Sequence, residues 1–240
     1  MAEFWDTIKR PFTSFKNLTI GALLFTIPLL GIAATFFDIP LLVTIIGFTV
    51  FFLGLIAKLF AYGYSLNAAL AQNKKTLPRW TNWKKLFIKG FLMMIIALIY
   101  FIPLFIIMLV FGTVAFVTSL NTGDITTAVA SASIGVLVSF FIIIITAYIT
   151  PVAIFMYGKK ERFNDAFHLR RVFKKAFTKQ WFLAWLLAVV FSLIIGYIGG
   201  FIAALLGYTV GGAFLIIGYT QFIVLIISLT FLGRAFEKIK

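Results

Sequence analysis

Residues 90–110 read GFLMMIIALIYFIPLFIIMLV, without one charged side chain. A helix rises about 1.5 Å per residue, so a run of this length matches a hydrocarbon core of roughly 30 Å. The run is apolar all round rather than striped. Such a helix belongs in the core of a large protein or in lipid. Outward from it, five further runs of the same kind appear, giving six expected spans at Leu18–Phe37, Ile39–Ala57, Gly90–Val117, Ile125–Met156, Trp181–Leu206 and Val210–Leu232. The third and fourth are long enough to tilt or to project beyond the bilayer.

Composition agrees with lipid as the solvent. Of the 240 residues 62% are hydrophobic and 12% charged, with 30 Phe and no Cys; the mean hydropathy is +1.10. Soluble domains carry about 25% charged residues. The missing cysteines exclude disulfides, thiolate catalysis and Cys-ligated zinc. The first residues, MAEFWDTIKRPFTSFK, hold Glu3 and Asp6 and only spaced apolar positions. They do not read as a signal peptide, so the first span is expected to act as the targeting signal.

The bases set an expected orientation. Lys9, Arg10 and Lys16 precede span one. Seven bases follow span two (Lys58, Lys74, Lys75, Arg79, Lys84, Lys85, Lys89). Eight follow span four (Lys159, Lys160, Arg162, Arg170, Arg171, Lys174, Lys175, Lys179), and Arg234, Lys238 and Lys240 follow span six. The turns on the other side carry only Asp38 and Asp124. The positive-inside rule then predicts cytoplasmic N- and C-termini in a multi-pass cell-membrane protein. Topology accounts for the net charge of +14, so nucleic acid is not an expected partner.

The order basic–aromatic stretch, span, short turn, span occurs three times, in units of roughly 1–75, 76–158 and 159–240 of one polytopic domain. The expected fold is therefore all-α, with six transmembrane helices as three hairpins. A cytoplasmic amphipathic helix lying in the interface is expected before each. At 100° per residue Trp80, Trp83, Leu86 and Phe87 share one face, Lys85 and Lys89 point away, and Lys84 sits at the edge. In the third stretch Phe163, Ala166, Phe167, Leu169, Phe173, Ala176 and Phe177 form a face opposite Arg171, Lys175 and Lys179, with Arg170 and Lys174 intruding. The candidate lipid or partner contacts are Trp80, Trp83, Lys84, Lys85, Phe87, Lys89, Arg170, Arg171, Lys174 and Lys175. The competing reading of the same residues is ordinary anchoring at the membrane surface.

Within the spans, Pro28, Pro103 and Pro151 each remove a backbone donor. Gly196, Gly200, Gly207 and Gly211 are expected to serve close helix packing, against span six or a neighbouring subunit. Catalytic chemistry is not legible. His168 is the sole histidine and the seven acids are scattered, so neither a metal set nor a carboxylate pair nor a serine triad is apparent. No acid lies deep in a span, which argues against proton coupling. An enzyme and a cofactor are not expected.

Leu77, Pro78, Trp80, Trp83, Leu86, Phe87 and Gly90 spell L-P-x-W-x-x-W-x-x-L-F-x-x-G. This resembles the signature of the domain of unknown function 4013 family, multi-span prokaryotic and largely archaeal membrane proteins. That family carries the motif between spans two and three, commonly with Asp or Asn before the second tryptophan, where this chain has Asn82. The resemblance implies about six spans and no activity. Three roles stay open: a non-enzymatic protein that engages anionic headgroups to organise or redistribute lipid, a transporter or channel subunit, and a membrane adaptor for a cytoplasmic partner. A homo-oligomer or another membrane partner fits each of them.

Overall fold

The computed structural model describes residues 2–35, 41–71, 75–122, 125–206 and 210–239, of which 92% are helical and none is in a strand. The helices are α1 (Ala2–Lys9), α2 (Phe15–Thr35), α3 (Leu41–Leu70), α4 (Trp83–Thr122), α5 (Ile125–Lys160), α6 (Leu169–Ala176), α7 (Lys179–Leu205) and α8 (Val210–Lys238). Short 3-10 turns occupy Arg10–Thr13 and Phe163–Phe167. Six helices, α2 to α5 with α7 and α8, are long and apolar enough to cross a bilayer. At 40 and 36 residues, α4 and α5 exceed the core thickness, since about 20 residues suffice.

Helix α2 lies along α3, α4 along α5, and α7 along α8; α3 also packs on α4, and α2 on α8. Glycine sets two of these approaches. A Cβ on Gly63 would collide with the Leu86 carbonyl, and one on Gly90 with the Leu59 carbonyl. The α3 and α4 backbones therefore touch, with Leu59 and Leu86 buried beside the crossing. At the α2–α8 seam, Gly21 faces the Phe222 ring and Gly218 faces Thr26.

The third junction, between α5 and α7, is built differently. Trp181 is fully buried and its Nε1 donates to the Tyr148 carbonyl at 3.3 Å. Trp185 Nε1 donates to the Ala147 carbonyl at 3.3 Å. Pro151 explains the second bond. In a helix the carbonyl of residue 147 accepts from the N–H of residue 151, and proline has none. The orphaned carbonyl is satisfied by an indole from the neighbouring helix, as transmembrane prolines require.

Several expectations need correction. Helix α3 runs past Ala57 to Leu70. Lys58 does not end it, because its ammonium sits 5.2 Å from the centre of the Phe25 ring while its stem stays apolar. The stretch before span three does not form a separate amphipathic helix. Residues 77–82 are non-helical, and α4 begins at Trp83 and continues without a break into the span. Gly196 and Gly200 do not pack against α8, since a Cβ on either would meet open space. Gly199 does that work against Thr220. Gly207 lies outside the described residues, as do Asp38, Lys74 and Asp124, and Gly211 falls in the first turn of α8.

Candidate functional site: the basic end of the bundle

Four basic segments gather at one end of the bundle and bind one another. Arg10 is fully buried. Its Nη2 donates to the Ala68 carbonyl (2.7 Å), its Nη1 to Thr230 Oγ1 (2.9 Å) and its Nε to the Thr76 carbonyl (3.3 Å). Ala68 lies in the last turn of α3, where its carbonyl also accepts from the Ala71 N–H at 3.2 Å and a cation is favoured. Burial pushes the Arg10 pKa down to about 10, with Tyr64 acting in the opposite sense and Arg234 in the same one. The guanidinium remains charged at neutral pH. Lys238 ion-pairs with the Glu3 carboxylate at 2.7 Å, and Arg234 donates to the Glu3 carbonyl. Lys238, with help from Arg234, holds the Glu3 carboxyl below its ordinary range.

The segment 77–90 is mostly absorbed by this scaffold. The Pro78 carbonyl accepts from the Tyr64 hydroxyl (2.7 Å) and from Asn17 Nδ2 (3.0 Å). The Leu77 N–H donates to Thr13 Oγ1 (3.1 Å). Trp80 lies flat on Tyr64, with centroids 3.9 Å apart, and its Nε1 donates to the Asn17 carbonyl. Asn82, at φ 55°, accepts from the Lys85 N–H through Oδ1 and so caps α4. Asp and Asn are favoured caps and Asn tolerates a left-handed backbone, which gives this position a structural reason. Leu86 is buried, Phe87 meets Phe60 and Phe91, and Gly90 makes the crossing with α3. Of the tryptophan pair, only Trp83 is exposed, at 45%.

The lysines separate sharply. Lys84 and Lys85 are exposed, whereas Lys89 is buried. The helical projection sets Lys89 off the Trp83–Phe87 face, and on that side the bundle covers it. Its Nζ donates to Asn67 Oδ1 and pairs with Glu161 Oε1 at 2.8 Å. Lys85 Nζ reaches the same Glu161 oxygen at 2.9 Å. Lys89 and then Lys85 hold the Glu161 carboxyl below its ordinary range. Neither Asn67 nor Glu161 stood among the sequence candidates. The available signals were an amide in an apolar helix and one of two acids in a segment of eight bases.

Helix α6 buries its smaller apolar residues and exposes its larger ones. Val172 and Ala176 are buried, whereas Leu169, Phe173 and Phe177 are exposed, Phe177 at 71%. Arg170, Arg171 and Lys174 are exposed beside them. Lys175 turns inward instead, donating to the Ile239 carbonyl at 2.8 Å and lying 5.2 Å from the Phe236 ring centre. Two tyrosines hold this segment by its carbonyls: Tyr100 donates to Ala166 (2.7 Å) and Tyr148 to Ala176 (2.5 Å). His168 lies on the exposed surface, its Nδ1 2.9 Å from the Asn164 carbonyl.

Fold and site together define a helical membrane protein with a reinforced basic end. The chain belongs to the family described as protein of unknown function (DUF4013), whose model matches residues 42–208, from α3 through α7 and including the 77–90 motif. No curated protein and no solved structure matches the chain.

Proposed function

We propose that the basic end is a non-catalytic membrane-surface module that engages anionic lipid headgroups. The observation that carries this reading is α6. It exposes Leu169 and Phe173, with Phe177 at its C-terminal cap, beside Arg170, Arg171 and Lys174, while Val172 and Ala176 fix it to the bundle. Exposed apolar and basic side chains on one short helix suit the boundary between headgroups and acyl chains. Trp83, Lys84 and Lys85 offer the same pairing at the start of α4. In this reading the basic end faces the cytoplasmic leaflet, where anionic lipid is attracted by about 1 kcal/mol per base.

The test is lipid selection by the full chain. Wild type reconstituted in mixed phosphatidylcholine and phosphatidylglycerol nanodiscs is expected to enrich phosphatidylglycerol at its surface, read by spin-labelled lipid contact. Arg170→Gln with Arg171→Gln and Lys174→Gln is expected to lower that preference about tenfold or more. Equal selection of both lipids by the wild type overturns the proposal.

A further inference from the structure

We infer that Lys85 and Lys89 form a seat for a phosphate-type anion, and that the Glu161 carboxylate fills this seat in the free protein. Two ammonium groups converge on one oxygen, Glu161 Oε1, at 2.9 and 2.8 Å. They differ in mobility. The Lys89 side chain is 9% exposed and fixed by Asn67, whereas Lys85 and Glu161 are about half exposed. A buried ammonium is costly without an anion beside it, so Lys89 demands negative charge at this point. Glu161 is one source, and it is a replaceable one. It follows Lys160, the last residue of α5, with φ 54°, in the left-handed region that residues other than Gly, Asn and Asp enter at a cost. Its side chain faces solvent, so leaving the lysines brings it into water rather than into the core.

There is room for a replacement. Two cavities, of about 320 and 370 Å³, flank the Lys89–Glu161 pair, and both residues line both cavities. The first is also bordered by Lys84, Lys85 and Tyr157, the second by Asn67 and Lys159, with Glu237 as the second acid. The ion pair is the partition between them. When Glu161 swings outward the two spaces join around Lys89, and Lys84 and Lys159 add charge at the rims. A phosphate offers several oxygens where the carboxylate offers one to both lysines, and charge-assisted bonds of this type are the strong ones. The seat stands independently of α6: it uses α3, α4 and the end of α5.

The experiment titrates full-length protein in an uncharged detergent with inorganic phosphate and, separately, with a short-chain phosphatidic acid. Glu161→Gln removes the competing carboxylate and is expected to tighten binding about tenfold over wild type. Asp6→Asn makes the same change in net charge elsewhere and is expected to leave binding at the wild-type level. Lys85→Met is exposed and spares the buried Lys89–Asn67 bond; added to Glu161→Gln, it is expected to abolish the gain. An equal gain for both probes assigns the seat to free phosphate groups, and a gain confined to phosphatidic acid assigns it to a lipid headgroup. If Glu161→Gln binds neither probe more tightly than Asp6→Asn, or if Lys85→Met leaves the gain intact, the inference falls. The triple α6 variant is expected to keep the gain, so this seat and the membrane-surface reading fail separately.

Discussion

Two seams between the long helices use opposite solutions. Between α3 and α4 the side chains are removed, and Gly63 and Gly90 let two backbones meet at the Leu59 and Leu86 carbonyls. Between α5 and α7 the side chains are enlarged, and Trp181 and Trp185 reach across to the Tyr148 and Ala147 carbonyls. In lipid there is no hydrophobic drive between helices, so a seam needs either close van der Waals approach or interhelical hydrogen bonds. The α3–α4 seam relies on close approach, with the Lys89–Asn67 bond added beside it, whereas the α5–α7 seam relies on indole hydrogen bonds. The threefold order of the sequence therefore does not extend to equivalent contacts.

The glycine seam has no slack, and breaking it is expected to give the largest effect. Gly90→Leu places atoms where the Leu59 carbonyl stands, and the helices must part. A loss of about 3 kcal/mol or more is expected, at the upper end of overpacking costs, visible as aggregation on size exclusion and a lowered melting temperature in mild detergent. A melt within a degree of wild type would show that the crossing is loose. The tryptophan seam is expected to yield less, and in a way that identifies its cause. Trp185→Phe keeps most of the ring and loses one N–H donor, for a cost of about 1 kcal/mol. In a Pro151→Ala background the alanine N–H can serve the Ala147 carbonyl, so the cost of Trp185→Phe should shrink towards zero. A double-mutant cycle without coupling would break the link between proline and indole. The smallest effect belongs to Gly196→Ala and Gly200→Ala, which fill open space. They should leave stability unchanged or raise it by a few tenths of a kcal/mol through helix propensity; a large loss would place these glycines at a seam with a second subunit.

The spans were legible because length and hydropathy are read without knowing what touches what. Their ends were less so. Lys58 reads as a boundary only until Phe25 is known to lie beneath it, and Asn67 and Lys89 read as polar breaks until they are seen to satisfy each other. Spacing of four also left the inward face of α7 open, and the choice fell on Gly199, one position from Gly200. The α6 projection grouped the large and small apolar residues on one face, without saying which of them the bundle would cover. In a bilayer protein bulk apolar groups can face out, and the buried contact went to the small Val172 and Ala176. The 77–90 motif was recognisable as a pattern, but its meaning needed partners distant in sequence. Asn17 and Tyr64 make the Pro78 carbonyl a double acceptor.

The Arg10 cluster has a consequence for how the molecule is made. Thr230 is synthesised 220 residues after Arg10. At about 5–20 residues per second, translation alone separates them by roughly ten seconds or more. During that interval the guanidinium has Ala68 and Thr76 to find but not its hydroxyl partner on α8. The turn that carries Arg10 can therefore lock only after α8 has been made, and its docking is a late step relative to the pairing of α2 with α3.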